Sequence, residues 1–409
     1  MIGPDRFAAW LEPLETAFFE ERFTRAPFHR PALCRGPLDE IVDVRSLEYV
    51  LAATPGSPHS YVRASRIIDG GRRDEHKLGP NANIREIARL HRAGYTLCVD
   101  EVNYRWPAIG AMCSGMQATL AARGQANVRG GATCGLFFAP PRSQGFTLHH
   151  DRKDVFVLQI AGRKTWRLHR PAEPYPIRNS VDNEFDALAG AEPLLEVELE
   201  PGDMLYVPRG FLHKPFTTDE HSLHLSFGVE TITWLDVLHE MMRNAPAFRR
   251  SVPSRYFGAA PAGLRDEVTA MLAELADGEA LRRELARAKL ADLLSETQLA
   301  ADLIHEARAG ARIDPGTRFE KRYGARCTVV RDGQELVIGF PGGSARVAGA
   351  HAALVARVVA SERFGAADAA PEVPPGEAAE TLRALHASGF LRIAGEPVAA
   401  AAPVFAGRA

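Results

Sequence analysis

Cysteine is scarce in this chain of 409 residues: five (Cys34, Cys98, Cys113, Cys134 and Cys327), none in a C-x-x-C spacing. An odd, low count without paired spacing argues against a disulfide framework and against a zinc cluster, and predicts a reducing, cytoplasmic setting. A block of basic residues is also missing. The 49 Lys and Arg stand against 51 Asp and Glu, a formal net charge of −2, so neither DNA nor RNA is an expected partner. No stretch approaches the ~20 apolar residues of a membrane helix. Nor is there the uninterrupted apolar core of a signal peptide near the N-terminus, where Asp5 and Arg6 precede Phe7, Trp10, Leu11, Leu14 and Phe18 at helical spacing.

The chain does have enough apolar material to fold, 46% hydrophobic against 24% charged residues, in a length that predicts two or three domains. Residues 1–94 mix helical and irregular patterns and are expected to wrap a β-rich domain on their C-terminal side. From Tyr95 to about Val229 short apolar runs are punctuated by Gly and Pro: Thr96–Val99, Leu136–Ala139, Val155–Ile160, Thr165–Leu168, Glu196–Leu199, Met204–Val207 and Ser222–Phe227. That texture predicts an antiparallel sandwich or barrel, with Glu200-Pro201-Gly202-Asp203 closing a hairpin between two of the runs.

At Thr233 the pattern changes. Thr233 and Asp236 have the spacing of a helix N-cap, and Trp234, Leu238, Met241 and Met242 recur at helical intervals, followed by Leu264–Leu275 and by leucines at 281, 285, 290, 293 and 294. These helices, predicted to reach about Ala309 with a turn at Asp277-Gly278, must bury their stripe on each other or on a second chain. Beyond Asp314-Pro315-Gly316, a hairpin signal at Asp332-Gly333 and helices near Ala350–Ala360 and Glu377–Ser388 are compatible with a winged-helix module. The Ala/Pro-rich end after Gly395 is expected to fray.

The chemistry sits in Gly145-Phe146-Thr147-Leu148-His149-His150-Asp151. On a strand, positions i and i+2 share a face, so His149 and Asp151 can meet one ion while His150 points away. His213, at the end of the strand Met204–Val207 and its Pro208-Arg209-Gly210 turn, offers a second imidazole. Two histidines and a carboxylate leave the far side of a metal open, the ligand set of non-haem Fe(II) oxygenases. An H-x-D run by itself is common by chance; its surroundings carry the weight.

Residues 135–168 (GLFFAPPRSQGFTLHHDRKDVFVLQIAGRKTWRL) and 200–228 (EPGDMLYVPRGFLHKPFTTDEHSLHLSFG) resemble the JmjC/cupin-type ribosomal oxygenases, Fe(II)- and 2-oxoglutarate-dependent protein hydroxylases. The resemblance extends more loosely to Gly94–Ala126, and the family's helical dimerisation region and C-terminal winged helix come next in the order read above. It implies an α+β fold: a double-stranded β-helix (jelly roll) with its N-terminal wrap over 1–231, a helical dimerisation region over 232–310, a winged-helix-like domain over 311–396 and a flexible tail over 397–409. It implies His149, Asp151 and His213 as iron ligands, O2 as oxidant and 2-oxoglutarate as cosubstrate. Lys164, in Gly162-Arg163-Lys164-Thr165-Trp166, falls where the family binds the distal carboxylate of 2-oxoglutarate. An ammonium on a buried strand does need an anion, and the competing reading is a snorkelling surface lysine.

His224 falls where relatives carry His or Asn near the cosubstrate; a satisfied core histidine is the alternative. Ser226 shares its strand face. Trp166 reads as core, His169 and His221 as surface or loop residues, and His150 as a neighbour of the ligands. The chain departs from the family on the strand before H-x-D. Relatives carry Asn-x-Tyr-x-Thr-Pro there, and this chain has Gly135, Phe137 and Ala139. Should Lys164 not hold the carboxylate, Arg129 or Arg142 is the nearest cation in sequence. The resemblance implies hydroxylation of a side chain in a protein or peptide, a ribosomal protein among them, with the same site able to demethylate an N-methyl group. A same-fold oxygenase of a small molecule or natural-product peptide, and a non-catalytic cupin with a winged helix that binds other macromolecules, are the other readings. Near-neutral charge speaks against DNA binding by the latter.

Overall fold

The computed structural model describes the chain outside residues 1–8, 35, 37, 44–46, 48–50, 52–61, 80–82, 124–127, 258–261, 276–277, 297–315, 324–325, 366–367, 369–372 and 395–409. It divides into two compact units, one ending at Glu230 and one spanning Thr231–Ala399.

In the first unit an eight-stranded antiparallel sheet has the order β1-β9-β6-β11-β5-β4-β2-β3, and a three-stranded sheet the order β10-β7-β8. The strands are β1 (Phe28–Arg30), β2 (Val62–Ile67), β3 (Arg73–Leu78), β4 (Thr96–Val99), β5 (Thr133–Ala139), β6 (Asp154–Gly162), β7 (Lys164–His169), β8 (Leu195–Leu199), β9 (Met204–Val207), β10 (Leu212–Phe216) and β11 (Ser222–Val229). Alternation along β6 shows how the layers divide. Phe156, Leu158 and Ile160 face a large core shared with helices Ile84–Arg92 and Pro107–Ala122 and with Trp10, Leu11, Leu14 and Phe18. Val157, one step out of phase, faces Trp166, Leu168, Leu199 and Phe211, so the small sheet packs on the opposite face.

The N-terminal wrap is not only helical and irregular: it supplies β1, β2 and β3 to the large sheet. Trp10 to Phe18 bury one face as the spacing predicts, but through turns and a short π-helix at Phe18–Arg22 rather than one continuous helix. Glu200–Asp203 makes the expected turn, with Asp203 N donating to Glu200 O at 2.9 Å and Gly202 at φ +95°. It closes no hairpin, because β8 pairs with β7 while β9 pairs with β6 and β1, and the turn carries the chain from one sheet to the other. Its Asp203 carboxylate instead ties down the wrap, accepting from Ala32 N at 2.8 Å and meeting His29 Nε2 at 3.1 Å.

In the second unit, helix Trp234–Asn244 opens on the expected capping box between Thr233 and Asp236. Its buried face is Val237 and Met241, whereas Trp234 (65% exposed) and Leu238 lie outward. Helices Leu264–Leu275 and Gly278–Ser295 come next; the predicted extension to Ala309, the Asp314-Pro315 boundary and Asp277 lie outside the described residues, as does the segment after Gly395. Strands Thr328–Asp332 and Glu335–Phe340 form a hairpin whose two-residue loop begins at Gly333, φ +62°. Helices Ala352–Ala360 and Pro375–Ala387 pack with it around Ile338, Phe340, Leu354, Leu382 and Phe390.

Candidate active site

His149 and Asp151 sit in an irregular stretch between β5 and β6, not on the regular strand expected. One isolated bridge holds them to β10: His213 N donates to His149 O at 2.7 Å, and His149 N to His213 O at 3.2 Å. His213 belongs to β10 itself rather than to the end of β9. The three side chains nevertheless converge, with donor atoms of His149, Asp151 and His213 all within 4.8 Å of one another. Each imidazole is oriented by the backbone: Nδ1 of His149 meets Thr147 O at 2.8 Å, and Nδ1 of His213 meets Phe211 O at 3.1 Å. Carbonyls only accept, so both Nδ1 atoms carry the proton and both Nε2 lone pairs are free for a ligand. His213 Nε2 lies 3.7 Å from Asp151 Oδ2. Burial, reinforced by the neighbouring His149, pushes the His213 pKa down to about 4, so this imidazole is neutral at physiological pH, as a metal ligand must be. His150 turns away, its ring 5.5 Å from that of Phe185.

The triad opens on a cavity of about 590 Å³ lined from both sheets. Lys164, Trp166, His224, Ser226, Gly135 and Phe137 all line it, which places Trp166 at the site as well as in the core. Lys164 is 4% exposed. Burial lowers its pKa to about 8, opposed only by the nearby Cys98, and no carboxylate among the described residues pairs with it. Nδ1 of His224 and Nε1 of Trp166 are likewise buried with no hydrogen-bond partner among the described residues. The His224 ring is parallel to that of Phe137, centroids 5.0 Å apart, and meets Trp166 edge-on. Burial, with Lys164 adding to it, holds His224 well below its usual pKa. An unpaired ammonium beside two unpartnered ring nitrogens is costly in an apolar wall and is the complement of a carboxylate.

His221 is exposed, but His169 is not: it is buried at the end of β7. Arg129 is exposed, and Arg142 pairs with exposed Asp219 at 2.9 Å; neither lines the cavity. Among the cations that do, and that sequence reasoning missed, is Arg63 on β2, which holds Asp100 through Nε at 3.0 Å and Nη2 at 2.9 Å. Arg73 on β3, paired with Asp182 at 2.9 Å, was missed for the same reason. Both lie on strands read as wrap, more than 70 residues from the H-x-D run, with no motif around them.

Comparison with known proteins places this geometry. Residues 123–237 match a family model described as the JmjC domain. Ribosomal oxygenase 1 of Rattus norvegicus is 32% identical over 222 residues, covering 50% of this chain and 35% of that protein. The bifunctional lysine-specific demethylase and histidyl-hydroxylase NO66 of Drosophila yakuba is 32% identical over 216 residues, covering 49% and 31%. The chain thus spans about a third of the length of these curated relatives. Among solved structures, YcfD, a ribosomal oxygenase from Escherichia coli, superposes with a TM-score of 0.56 at 18% identity over 94% of this chain and 99% of that one. A second YcfD structure, in complex with cobalt and 2-oxoglutarate, gives 0.53 at 18% identity over 92% and 97%. The fold is therefore of the JmjC/cupin type, mixed helices with antiparallel sheets, and the resemblance read from residues 135–168 and 200–228 holds.

Proposed function

We propose that this chain, which carries a JmjC domain over residues 123–237, is an Fe(II)- and 2-oxoglutarate-dependent oxygenase that hydroxylates a side chain of a protein or peptide. The observation that carries the proposal is a three-donor set with one open side, facing a cavity that holds an ammonium with no counter-ion among the described residues. The donor set suits ferrous iron, with His149, Asp151 and His213 as ligands. Lys164 suits the distal carboxylate of 2-oxoglutarate, with His224 and Trp166 offering ring nitrogens beside it. Ser226 lines the same wall. When bound, the ion and cosubstrate supply O2 activation coupled to oxidative decarboxylation, yielding succinate, CO2 and one oxygen atom inserted into a substrate C–H bond.

The chain's own part is placement. Backbone carbonyls fix both imidazoles in the ligating tautomer, the Phe146 and Phe137 rings wall the cavity, and burial keeps Lys164 and His224 out of competition with water. The relatives named ribosomal oxygenase support a ribosomal protein as substrate, and the demethylase in the NO66 name corresponds to the same chemistry on an N-methyl group. One observation favours a second reading. Gly135, Phe137 and Ala139 leave β5 without the polar groups that relatives carry there, which widens the candidates to a natural-product peptide or small molecule. A purely binding role for the fold is disfavoured by the intact ligand set and Lys164.

The helices over 234–295 are proposed to pair with a second copy, since Trp234, Leu235 and Leu272 are each at least half exposed. The region after residue 316 is proposed to be winged-helix-like, and the scarcity and spacing of cysteine support a cytoplasmic location. Light scattering at micromolar concentration should give twice the 44.6 kDa chain mass; a monomer mass removes the dimer. The oxygenase reading is tested by succinate formation that requires both Fe(II) and 2-oxoglutarate. In the same assay Phe137→Tyr should lower the 2-oxoglutarate requirement severalfold, because a hydroxyl is restored to the cavity wall beside His224; an unchanged requirement means the ring does not face the cosubstrate.

A further inference from the structure

Three residues after Asp151, β6 begins at Asp154, whose side chain is fully buried on the core side of the large sheet, away from the cavity. Its Oδ1 accepts from the Tyr206 hydroxyl at 2.7 Å and from Arg209 N at 3.4 Å. The Tyr206 oxygen in turn accepts from Thr24 N at 2.8 Å. A single carboxylate therefore gathers β6, β9, the N-terminal wrap and the Pro208-Arg209-Gly210 turn. That turn is the element that touches the ligands: Gly210 N donates to Asp151 O at 2.9 Å, and three residues further on the chain delivers His213. The turn has little freedom to drift by itself. Gly210 sits at φ +87°, and a Cβ there would lie 2.8 Å from Pro176 and 3.0 Å from Glu173 O.

A buried carboxylate is costly, and this one keeps Oδ2 without a hydrogen-bond partner among the described residues, with the Arg209 guanidinium as its nearby opposite charge. A merely stabilising contact at this place could be made by an apolar side chain at lower cost. What a carboxylate adds is direction: an acceptor that fixes the turn's N–H and the tyrosine hydroxyl at once.

We infer that Asp154 is a positioning residue for the metal triad, and that through Tyr206 it couples the docking of the N-terminal wrap at Thr24 to the geometry of Asp151 and His213. The inference rests on the reading of His149, Asp151 and His213 as ligands. Outer partners of metal ligands characteristically change affinity by about ten- to a hundredfold when removed. Asp154 touches no ligand side chain, so the effect passes through the backbone of 208–213.

The test is anaerobic titration of the full chain with Fe(II) alone, and visible absorption of the Co(II) form, for wild type, Asp154→Asn, Asp154→Ala, Tyr206→Phe and Ile87→Ala. Ile87 is buried on helix Ile84–Arg92, away from the turn, and controls for general loss of stability. The expected result is Fe(II) affinity weaker by up to about tenfold in the Asp154 variants, the low end of the range for groups bonded directly to ligands, a smaller loss in Tyr206→Phe, and Co(II) bands that move in position, with Ile87→Ala unchanged in both. If Asp154→Ala fails to fold, Tyr206→Phe still decides. Wild-type affinity and band positions in the folded variants overturn the inference, as does an equal loss in Ile87→Ala. His213→Ala separates the two levels: Fe(II) binding that survives it sinks the ligand assignment itself, whereas its loss alongside unaffected Asp154 variants sinks only the positioning role.

Discussion

His213→Ala should abolish Fe(II) binding and turnover together, and so should His149→Ala and Asp151→Ala. With three donors held within 4.8 Å, loss of any one leaves a two-ligand site; a weakening of at least a hundredfold in Kd corresponds to about 3 kcal/mol. Anaerobic Fe(II) titration reads it directly. His150→Ala is the contrast. That imidazole is the nearest alternative ligand in sequence, but its ring lies against Phe185 and its backbone N donates to Ser180 Oγ at 3.0 Å, so the variant should bind Fe(II) as wild type does. If His150 proves essential and His149 dispensable, the assignment of the triad is wrong.

Lys164→Ala should raise the 2-oxoglutarate requirement at least about tenfold and leave Fe(II) affinity nearly unchanged. A charge-assisted contact contributes roughly 1.5–3 kcal/mol, and its loss leaves the cosubstrate anion facing an apolar wall. The other cations that line the cavity, Arg63, Arg73 and Lys153, are committed to Asp100, Asp182 and Glu230 and cannot substitute without breaking those pairs. The depressed pKa adds a pH signature. Binding the anion needs the ammonium, so the dissociation constant should be flat below about pH 8 and rise up to about tenfold per unit above it.

For folding the sign is the reverse. Lys164 loses its proton near pH 8 in the folded protein but near 10.5 when unfolded. Between those values the unfolded chain binds more protons, so the ligand-free protein gains stability as pH rises through that window. By the same reasoning Lys164→Met, which keeps the bulk and removes the buried charge, should raise the melting temperature of the ligand-free protein while weakening 2-oxoglutarate. An unchanged requirement for 2-oxoglutarate in both variants means that another group holds the carboxylate.

Legibility in the sequence depended on whether a strand keeps an apolar run or an apolar alternation: β5, β7 and β8 show it as well as the more deeply buried strands. β4, β6, β9 and β11 are apolar runs and were legible as such. β3, Arg-Asp-Glu-His-Lys-Leu, is an edge strand whose charges suit an exposed edge and erase the apolar signal. β10 contains Pro215, tolerated because β10 is the edge of the small sheet, and this hid the strand that carries His213. The site divided in the same way. His149, Asp151 and His213 were found through the ligand chemistry and the likeness of two long segments, even though one of the two supports is no regular strand. Arg73 lies on β3, and Arg63 on β2 beside it, where Val-Arg-Ala-Ser-Arg-Ile mixes charges into the strand. Trp166 reads as core by composition, and only its place between His213 and His224, ring centroids 5.9 and 5.6 Å away, shows that it also lines the cavity.

The central claim is oxygen insertion into a polypeptide side chain, and product mass spectrometry tests it most directly. The purified chain is incubated with Fe(II), 2-oxoglutarate, O2 and an extract from cells lacking it, with the His213→Ala variant in parallel. The account predicts a gain of one oxygen atom on a single residue of a protein or peptide, taken from O2, dependent on both Fe(II) and 2-oxoglutarate and absent with the variant. Oxygen found only on a small metabolite, or a polypeptide product formed equally by His213→Ala, would contradict it.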